Sequence, residues 1–291
     1  MSNQGVVKNA YRTLLSGYTL LAGAQRAKEI DAKVRFGRRL DLKHPKTLAD
    51  KVSWLGLNGD LSRAAQLTDK YSVRSYVTDR GFAELLIPLA GGPWTDASQI
   101  DIAALPQSFV LKATHGCEMN YICKNKAMLD TAHLLDLATL WLNKNYPRAC
   151  VEPHYKLIPH RLYAEKYIGE LGGIVDYKIH CINGRPEFVL TCSERERALK
   201  LNLYDLDWNP IKGLQGPMVN RKEVARPSLL DEMIRTAAKL AEGFDFVRID
   251  LYEHNDHVYF GEMTFSPASG VFEYFTDEFV SFWGNRLEIS A

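Results

Sequence analysis

Two short runs near the C-terminal end constrain the chain more than any other segment: Phe246-Val247-Arg248-Ile249-Asp250-Leu251-Tyr252 and Val258-Tyr259-Phe260-Gly261-Glu262-Met263-Thr264. Each alternates apolar and polar residues, the period of a strand with one buried face. The polar stretch Glu253-His254-Asn255-Asp256-His257 between them is short enough to fold the strands back on each other. Arg248 then shares a face with Asp250, and Glu262 with Thr264. A hairpin of this kind sets two carboxylates, a hydroxyl and a guanidinium around one point. Hard oxygens converging from adjacent strands suit Mg²⁺, which takes one or two carboxylates together with substrate phosphates. A surface hairpin with a cross-strand Arg–carboxylate pair is the competing reading.

A chain of 291 residues is long for one small core, so two or three subdomains are expected. Its net charge of +1 opposes a nucleic-acid binder working through a basic face. No run approaches the roughly 20 apolar residues that span a bilayer. The stretch from Tyr11 to Ala24 reads as an amphipathic helix packing on the protein's own body, with peripheral contact to a membrane or a partner as the alternative. Cys117, Cys123, Cys150, Cys181 and Cys192 are odd in number and form neither a Cys-x-x-Cys pair nor a zinc pattern, which fits reduced thiols in a cytoplasmic protein.

Residues 1–80 are mostly helical in pattern, with one helix opening at Thr47-Leu48-Ala49-Asp50 after Pro45. Leu85 to Leu89 reads as a short strand closed by Gly91-Gly92-Pro93-Trp94, Phe109 to Ala113 as a stronger one, and Thr131 to Lys144 as a helix. From Arg161 onward the pattern turns to successive strands, with Asn183-Gly184 as a hairpin turn. A helix from Ser228 to Glu242, capped by Ser228, then precedes the terminal hairpin. Helices followed by an antiparallel sheet indicate an α+β fold. The division is a helical region over 1–80, a small lobe over 81–160 and a large lobe over 161–291.

Three further segments carry chemistry. Lys112 sits inside an apolar strand, where a lysine is costly unless something anionic meets it, and the loop His115-Gly116-Cys117-Glu118-Met119-Asn120 follows. That suits nucleotide phosphates, although an edge-strand lysine explains Lys112 equally. Glu165-Lys166-Tyr167-Ile168 ends a strand where exposed backbone could read an adenine edge, or it holds an ordinary exposed Glu-Lys pair. Asp176, Lys178 and His180 share one strand face, which lines either a polar cleft or solvent.

This order, with Lys46 to Leu55, Leu105-Pro106-Gln107-Ser108-Phe109-Val110-Leu111-Lys112, Asp176-Tyr177-Lys178 and Phe260-Gly261-Glu262-Met263-Thr264-Phe265-Ser266-Pro267, resembles the ATP-grasp superfamily. Within it the chain is similar to the TupA-like branch of bacterial surface-polysaccharide synthesis. The resemblance implies two α+β lobes clasping ATP. It implies that Lys112 and Lys178 hold its phosphates, with Asp176 beside them, and that His115, Gly116 and Asn120 belong to a flap over them. Backbone of Glu165, Lys166, Tyr167 and Ile168 would receive adenine. Asp250, Glu262 and Thr264 would bind Mg²⁺, and Arg248 with Lys178 would act on the transferring phosphoryl group. Thr264 stands where many superfamily members have Asn, and Cys117-Glu118 replaces the Ser-Gly usual in the flap. The activity implied is an ATP-dependent carboxylate–amine ligase joining an amino acid to a uronic acid of a surface glycan. Arg195 and Arg197 could clamp a substrate carboxylate, or form a solvated Glu-Arg run. A sugar kinase on the same scaffold, a glycosyltransferase using Asp205-Leu206-Asp207, and a non-catalytic binder are the rival readings.

Overall fold

The computed structural model describes residues 3–117, 119–146, 150–169, 175–194 and 199–290. Helices α1 (Asn3–Phe36), α2 (Leu48–Asn58), α3 (Leu61–Thr68) and α4 (Val73–Asp79) come first. Strands β1 (Leu89–Trp94), β2 (Phe109–Ala113) and β3 (Asn120–Cys123), helix α5 (Thr131–Leu142) and strand β4 (Leu162–Lys166) follow. The remainder is β5 (Asp176–Ile182), β6 (Arg185–Ser193), β7 (Lys200–Tyr204), α6 (Leu230–Ala241), β8 (Phe246–His254), β9 (His257–Thr264) and α7 (Asp277–Gly284).

Local chemistry sets several of these ends. Thr47 caps α2: its hydroxyl accepts from the Asp50 amide at 3.1 Å, and the Asp50 carboxylate accepts from the Thr47 amide at 2.9 Å. Such a reciprocal cap stabilises a helix start by about 1 kcal/mol. Asn183-Gly184 and Asn255-Asp256 turn their hairpins with positive φ at both central residues, 51° and 75° in the first and 52° and 54° in the second. Ser228 does not cap α6 as expected; its hydroxyl and amide are drawn to the Glu253 carboxylate instead. The Leu85–Leu89 strand is also displaced. Leu85 ends a short 3₁₀ turn, and β1 begins at Leu89 and runs through Gly91-Gly92-Pro93. Proline is tolerated there because β1 is an edge strand.

The first sheet has the order β1-β4-β2-β3. Phe109, Leu111, Leu162 and Ala164 pack with Leu134, Ala138 and Trp141 of α5. β4 pairs with both β1 and β2, so the first sheet takes its strands from Leu89 to Lys166. The second sheet has the order β7-β6-β5-β8-β9 and is covered on both faces. Leu67, Val73 and Val77 from α3 and α4 join Met233 and Leu240 of α6 on one face. Leu48 and Val52 of α2 join Phe279 and Trp283 of α7 on the other. The helices of residues 48–79 are therefore a cover for the large sheet and not a separate helical domain. At 11, 8 and 7 residues, α2, α3 and α4 are too short to stand without such packing.

Helix α1 is kinked at Gly23 (φ 85°, ψ 159°). Beyond the kink Ala27, Lys28, Asp31 and Ala32 are buried; before it Leu15 packs with Tyr11 and Val151. Cys123, Cys150 and Cys181 are free thiols. Among the described residues no helix is long and apolar enough to cross a membrane.

Candidate active site

The large sheet sorts its residues by face. Tyr177, Ile179 and Cys181 of β5 and Val247, Ile249 and Leu251 of β8 point into the core beneath α6. Asp176, Lys178, Arg248 and Asp250 alternate with them and share the other face. On β9, unbroken alternation would put Val258 and Phe260 on the same face as Glu262 and Thr264. A bulge prevents this. Asp250 pairs with Glu262 while the next residue, Leu251, pairs with Phe260, so Gly261 is an extra residue. Val258, Phe260 and Met263 then all face the core, and Glu262 and Thr264 come round to Asp250 and Arg248. A Cβ at position 261 would lie 2.7 Å from the Tyr252 ring and 3.0 Å from the Asp250 carbonyl oxygen, which explains the glycine.

Arg248 grips Asp250 in two places, Nε to Oδ1 at 2.6 Å and Nη2 to Oδ2 at 2.7 Å. The same Nη2 donates to Glu262 Oε1 at 3.1 Å and to Thr264 Oγ1 at 3.2 Å, and Thr264 donates on to Glu262 Oε1 at 3.0 Å. Lys178 meets Asp176 at 2.8 Å and also Asp250. Burial and the nearby Arg248 depress the Lys178 ammonium, but Asp176, Asp250 and Glu262 outweigh them and hold its pKa above the ordinary value. The cross-strand Arg–carboxylate pair exists as Arg248–Glu262, with Arg248 buried and Glu262 37% exposed, while the fully buried pair, Arg248–Asp250, lies within β8. The third residue of the β5 series, His180, is not part of this cluster. Its ring stacks on Phe188 at 4.5 Å, and burial first, then Arg248, keeps it neutral.

The donor set suits Mg²⁺ on two grounds. Three carboxylates face two cations in this group of five side chains, leaving an excess of negative charge. Glu262 is 37% exposed and only its Oε1 is engaged, so Oε2 is open to a ligand. Among the described residues no three His, Cys, Asp or Glu side chains form a cage on their own. An ion here would complete its shell with phosphate oxygens and water, as Mg²⁺ commonly does.

The small lobe supplies a second charged group. Glu165 is buried and accepts from Lys112 Nζ at 2.5 Å and from Arg74 Nη1 at 3.0 Å. The lysine and the Glu-Lys pair are therefore linked to each other. Lys166 is exposed, and its amide donates to the Pro88 carbonyl at 2.9 Å, so that N–H is already committed. Tyr167 and Ile168 follow β4 as half-buried coil, with the Tyr167 hydroxyl buried and unpartnered among the described residues. Asn120 is exposed and pairs with Lys112 across β2 and β3. The Gly116 carbonyl is held by Lys70 Nζ at 2.5 Å.

His115 departs from the expected role. Its ring is fully buried, stacked on His160 at 3.7 Å, with Nε2 3.0 Å from the Trp141 carbonyl. Burial, then the His160 charge, lowers its pKa to about 4. It anchors the base of the flap against the end of α5 and does not face a ligand. Glu118, Arg195 and Arg197 lie outside the described residues.

Tyr163 is buried and Tyr155 half-buried, and both phenols sense charges from more than one element. The Tyr163 phenol is raised well above 10.0 by burial first, and it feels Glu165, Arg74, Asp69 and Glu262. Tyr155 is raised likewise, with Glu152, Glu262, Cys117 and Arg248 around it. Charges from the first sheet (Glu165) and from the hairpin (Glu262) thus both act on Tyr163.

Sequence reasoning missed two members of this region. Arg74 comes from α4, 91 residues before Glu165, with no local pattern to mark it. Glu152 is buried and accepts from Ser266 Oγ at 2.6 Å, Ser269 Oγ at 3.0 Å and the Tyr146 hydroxyl at 3.1 Å. These bonds hold the loop after β9, where Ala268, Ser269 and Phe272 take positive φ of 47°, 57° and 52°. Strain of this kind persists only where the surroundings over-determine it. Asp205-Leu206-Asp207 is a closed turn: Asp205 accepts from the amides of Asp207 and Asn209 at 3.0 and 2.7 Å. A cavity of about 1110 Å³ lies elsewhere, between β7 and α7; Leu201, Phe279 and Trp283 line it and none of its described lining residues belongs to the hairpin.

A family model described as TupA-like ATPgrasp matches residues 50–288. No curated protein matches the chain. Among solved structures, an N5-carboxyaminoimidazole synthase of Aspergillus clavatus, in complex with ADP and its ribonucleotide, is 12% identical with a TM-score of 0.42, over 69% of this chain and 44% of that one. D-alanine–D-alanine ligase of Helicobacter pylori is 12% identical, TM-score 0.41, over 77% and 61%. The Bacillus anthracis ligase of that name is 14% identical, TM-score 0.43, over 73% and 62%. The chain thus spans less than two thirds of each of these structures.

Proposed function

The chain belongs to the TupA-like ATP-grasp family, whose members are ligases, and from that premise we propose that it forms an amide from a carboxylate and an amine at the expense of ATP. The observation that carries the reading is the convergence of Lys178 and Arg248 with Asp250, Glu262 and Thr264 on one buried face. An acceptor carboxylate oxygen attacks the γ-phosphorus, the bond to the bridging oxygen breaks, and ADP leaves. The amine then attacks the acyl carbon, phosphate departs with the C–O electron pair, and the amine gives up a proton.

In this proposal the residues of the chain act by charge and position. Both the nucleophile and the γ-phosphoryl group are anionic, and Arg248 and Lys178 offset their repulsion as charge develops. Mg²⁺, when bound, adds charge neutralisation at the phosphate oxygens. Asp250 and Glu262 would hold it, with Thr264 orienting Glu262. Phosphates would replace Asp250 as partners of Lys178 and Arg248, freeing carboxylate oxygens for the ion. Lys112 would make the same exchange with Glu165, and the backbone after β4 would receive adenine. Closure of the 115–120 loop would exclude water from the acyl phosphate.

By family, the acceptor is proposed to be a uronic acid of a capsular or cell-surface glycan, the amine an amino acid, and the setting the cytoplasm, where ATP is available. The test is an ADP-release screen of uronic-acid glycans crossed with amino acids, with hydroxylamine as a trap. Acyl hydroxamate from the productive pairs is the expected result. ADP release with a phosphorylated sugar hydroxyl and no hydroxamate would assign a sugar kinase instead.

A further inference from the structure

The first half of α1 presents an apolar ridge that the protein does not cover. Leu14, Tyr18 and Leu21 recur at helical spacing on one side, and Leu20 lies on another exposed side, about 100° round the helix from Leu21. Leu14 is 73% exposed, Leu20 89% and Leu21 90%. A neighbouring side of the same helix is seated on the body through Leu15, which packs with Tyr11 and Val151. The ridge is therefore not a frayed end: the helix is held in place with this side outward. Isolated exposed leucines are common, but three on one short helix, two of them nearly bare, are not.

Charge selects what could cover it. The first acidic residue of the chain is Glu29, whereas Lys8, Arg12, Arg26 and Lys28 precede it. Beyond the kink Arg26, Lys33 and Arg39 are exposed. This segment is strongly basic in a chain whose total charge is only +1. A second copy of residues 3–22 would bring like charges together, since that stretch has no carboxylate. A surface of negative charge with an apolar interior just beneath it fits both features. Tyr18, at the edge of the ridge, suits the headgroup level.

We propose that residues 3–22 form an interfacial helix that docks the protein on an anionic phospholipid bilayer. Leu14 and Leu21 enter the acyl boundary, and the exposed Arg26, Lys33 and Arg39 meet the lipid phosphates. Neither the ridge nor its charge takes part in the ligase reading, and the test does not use turnover.

The measurement is co-sedimentation of the full chain with vesicles of phosphatidylcholine mixed with phosphatidylglycerol, against phosphatidylcholine alone, at low and high salt. The protein is expected to pellet with the anionic vesicles only and to be released several-fold by salt. Leu14→Ser/Leu21→Ser is expected to lower the partition at least about tenfold. Both side chains are exposed, so its circular dichroism and melting temperature should match the parent. Three results would overturn the proposal: no binding to anionic vesicles, a double variant that binds as the parent does, or a lipid-free dimer by light scattering that the double variant dissolves.

Discussion

Asp250 and Glu262 belong to the same charged cluster but differ in what surrounds them. Asp250 is buried between Arg248 and Lys178, while Glu262 keeps one oxygen toward solvent. Removing the first leaves two buried cations short of a partner; removing the second leaves Arg248 still held by Asp250. Asp250→Ala is therefore expected to cost about 3–5 kcal/mol in denaturant unfolding, and Glu262→Ala about 1 kcal/mol or less. Both should abolish ATP turnover. Equal stability losses would mean that the cluster is not graded in this way. Glu165 should resemble Asp250, because Arg74 and Lys112 both rely on it. Glu165→Ala is expected to lower the melting temperature clearly, and an unchanged melting temperature would remove its claim to a buried ionic role.

At the scale of elements, the β8–β9 hairpin depends on the bulge at Gly261. Gly261→Ala must move the Tyr252 ring and crowd the Asp250 carbonyl. The expected result is about 1–3 kcal/mol of destabilisation, with a loss of Mg²⁺-dependent turnover larger than the stability loss accounts for. The sequence pattern showed the two strands, their turn and the pairing of Arg248 with Asp250, because alternation is a local signal. It did not show how Glu262 and Thr264 reach the same side, since a bulge shifts the period by one residue without changing composition. His115 was misplaced for a related reason: a histidine beside a glycine looks like a loop ligand until α5 supplies the carbonyls that hold it. Arg74 and Glu152 were silent because their partners lie 91 and more than 110 residues away.

For the whole molecule, charges of both sheets act on Tyr163, Glu165 from the first and Glu262 from the second. Buried histidines give the protein a pH signature. Burial first lowers both His115 and His154 from 6.5 to about 4. Both are neutral in the folded protein, while the unfolded chain takes up protons below about 6.5. Stability is then level above that pH and falls as pH drops from about 6.5 toward about 4, by at most about 1.4 kcal/mol per pH unit for each histidine. Unfolding midpoints measured across this range should show the decline, and His115→Gln/His154→Gln should lessen its slope, buried neutral His180 supplying the remainder. In the proposed function Mg²⁺ and ATP bind together at the face that carries Asp250 and Glu262. Calorimetric titration of ATP with and without Mg²⁺, on the parent and on Glu262→Ala, tests this most directly. Mg²⁺-dependent binding that the variant loses while keeping its melting temperature is the predicted result; the same affinity in both proteins, or in the parent without Mg²⁺, would contradict it.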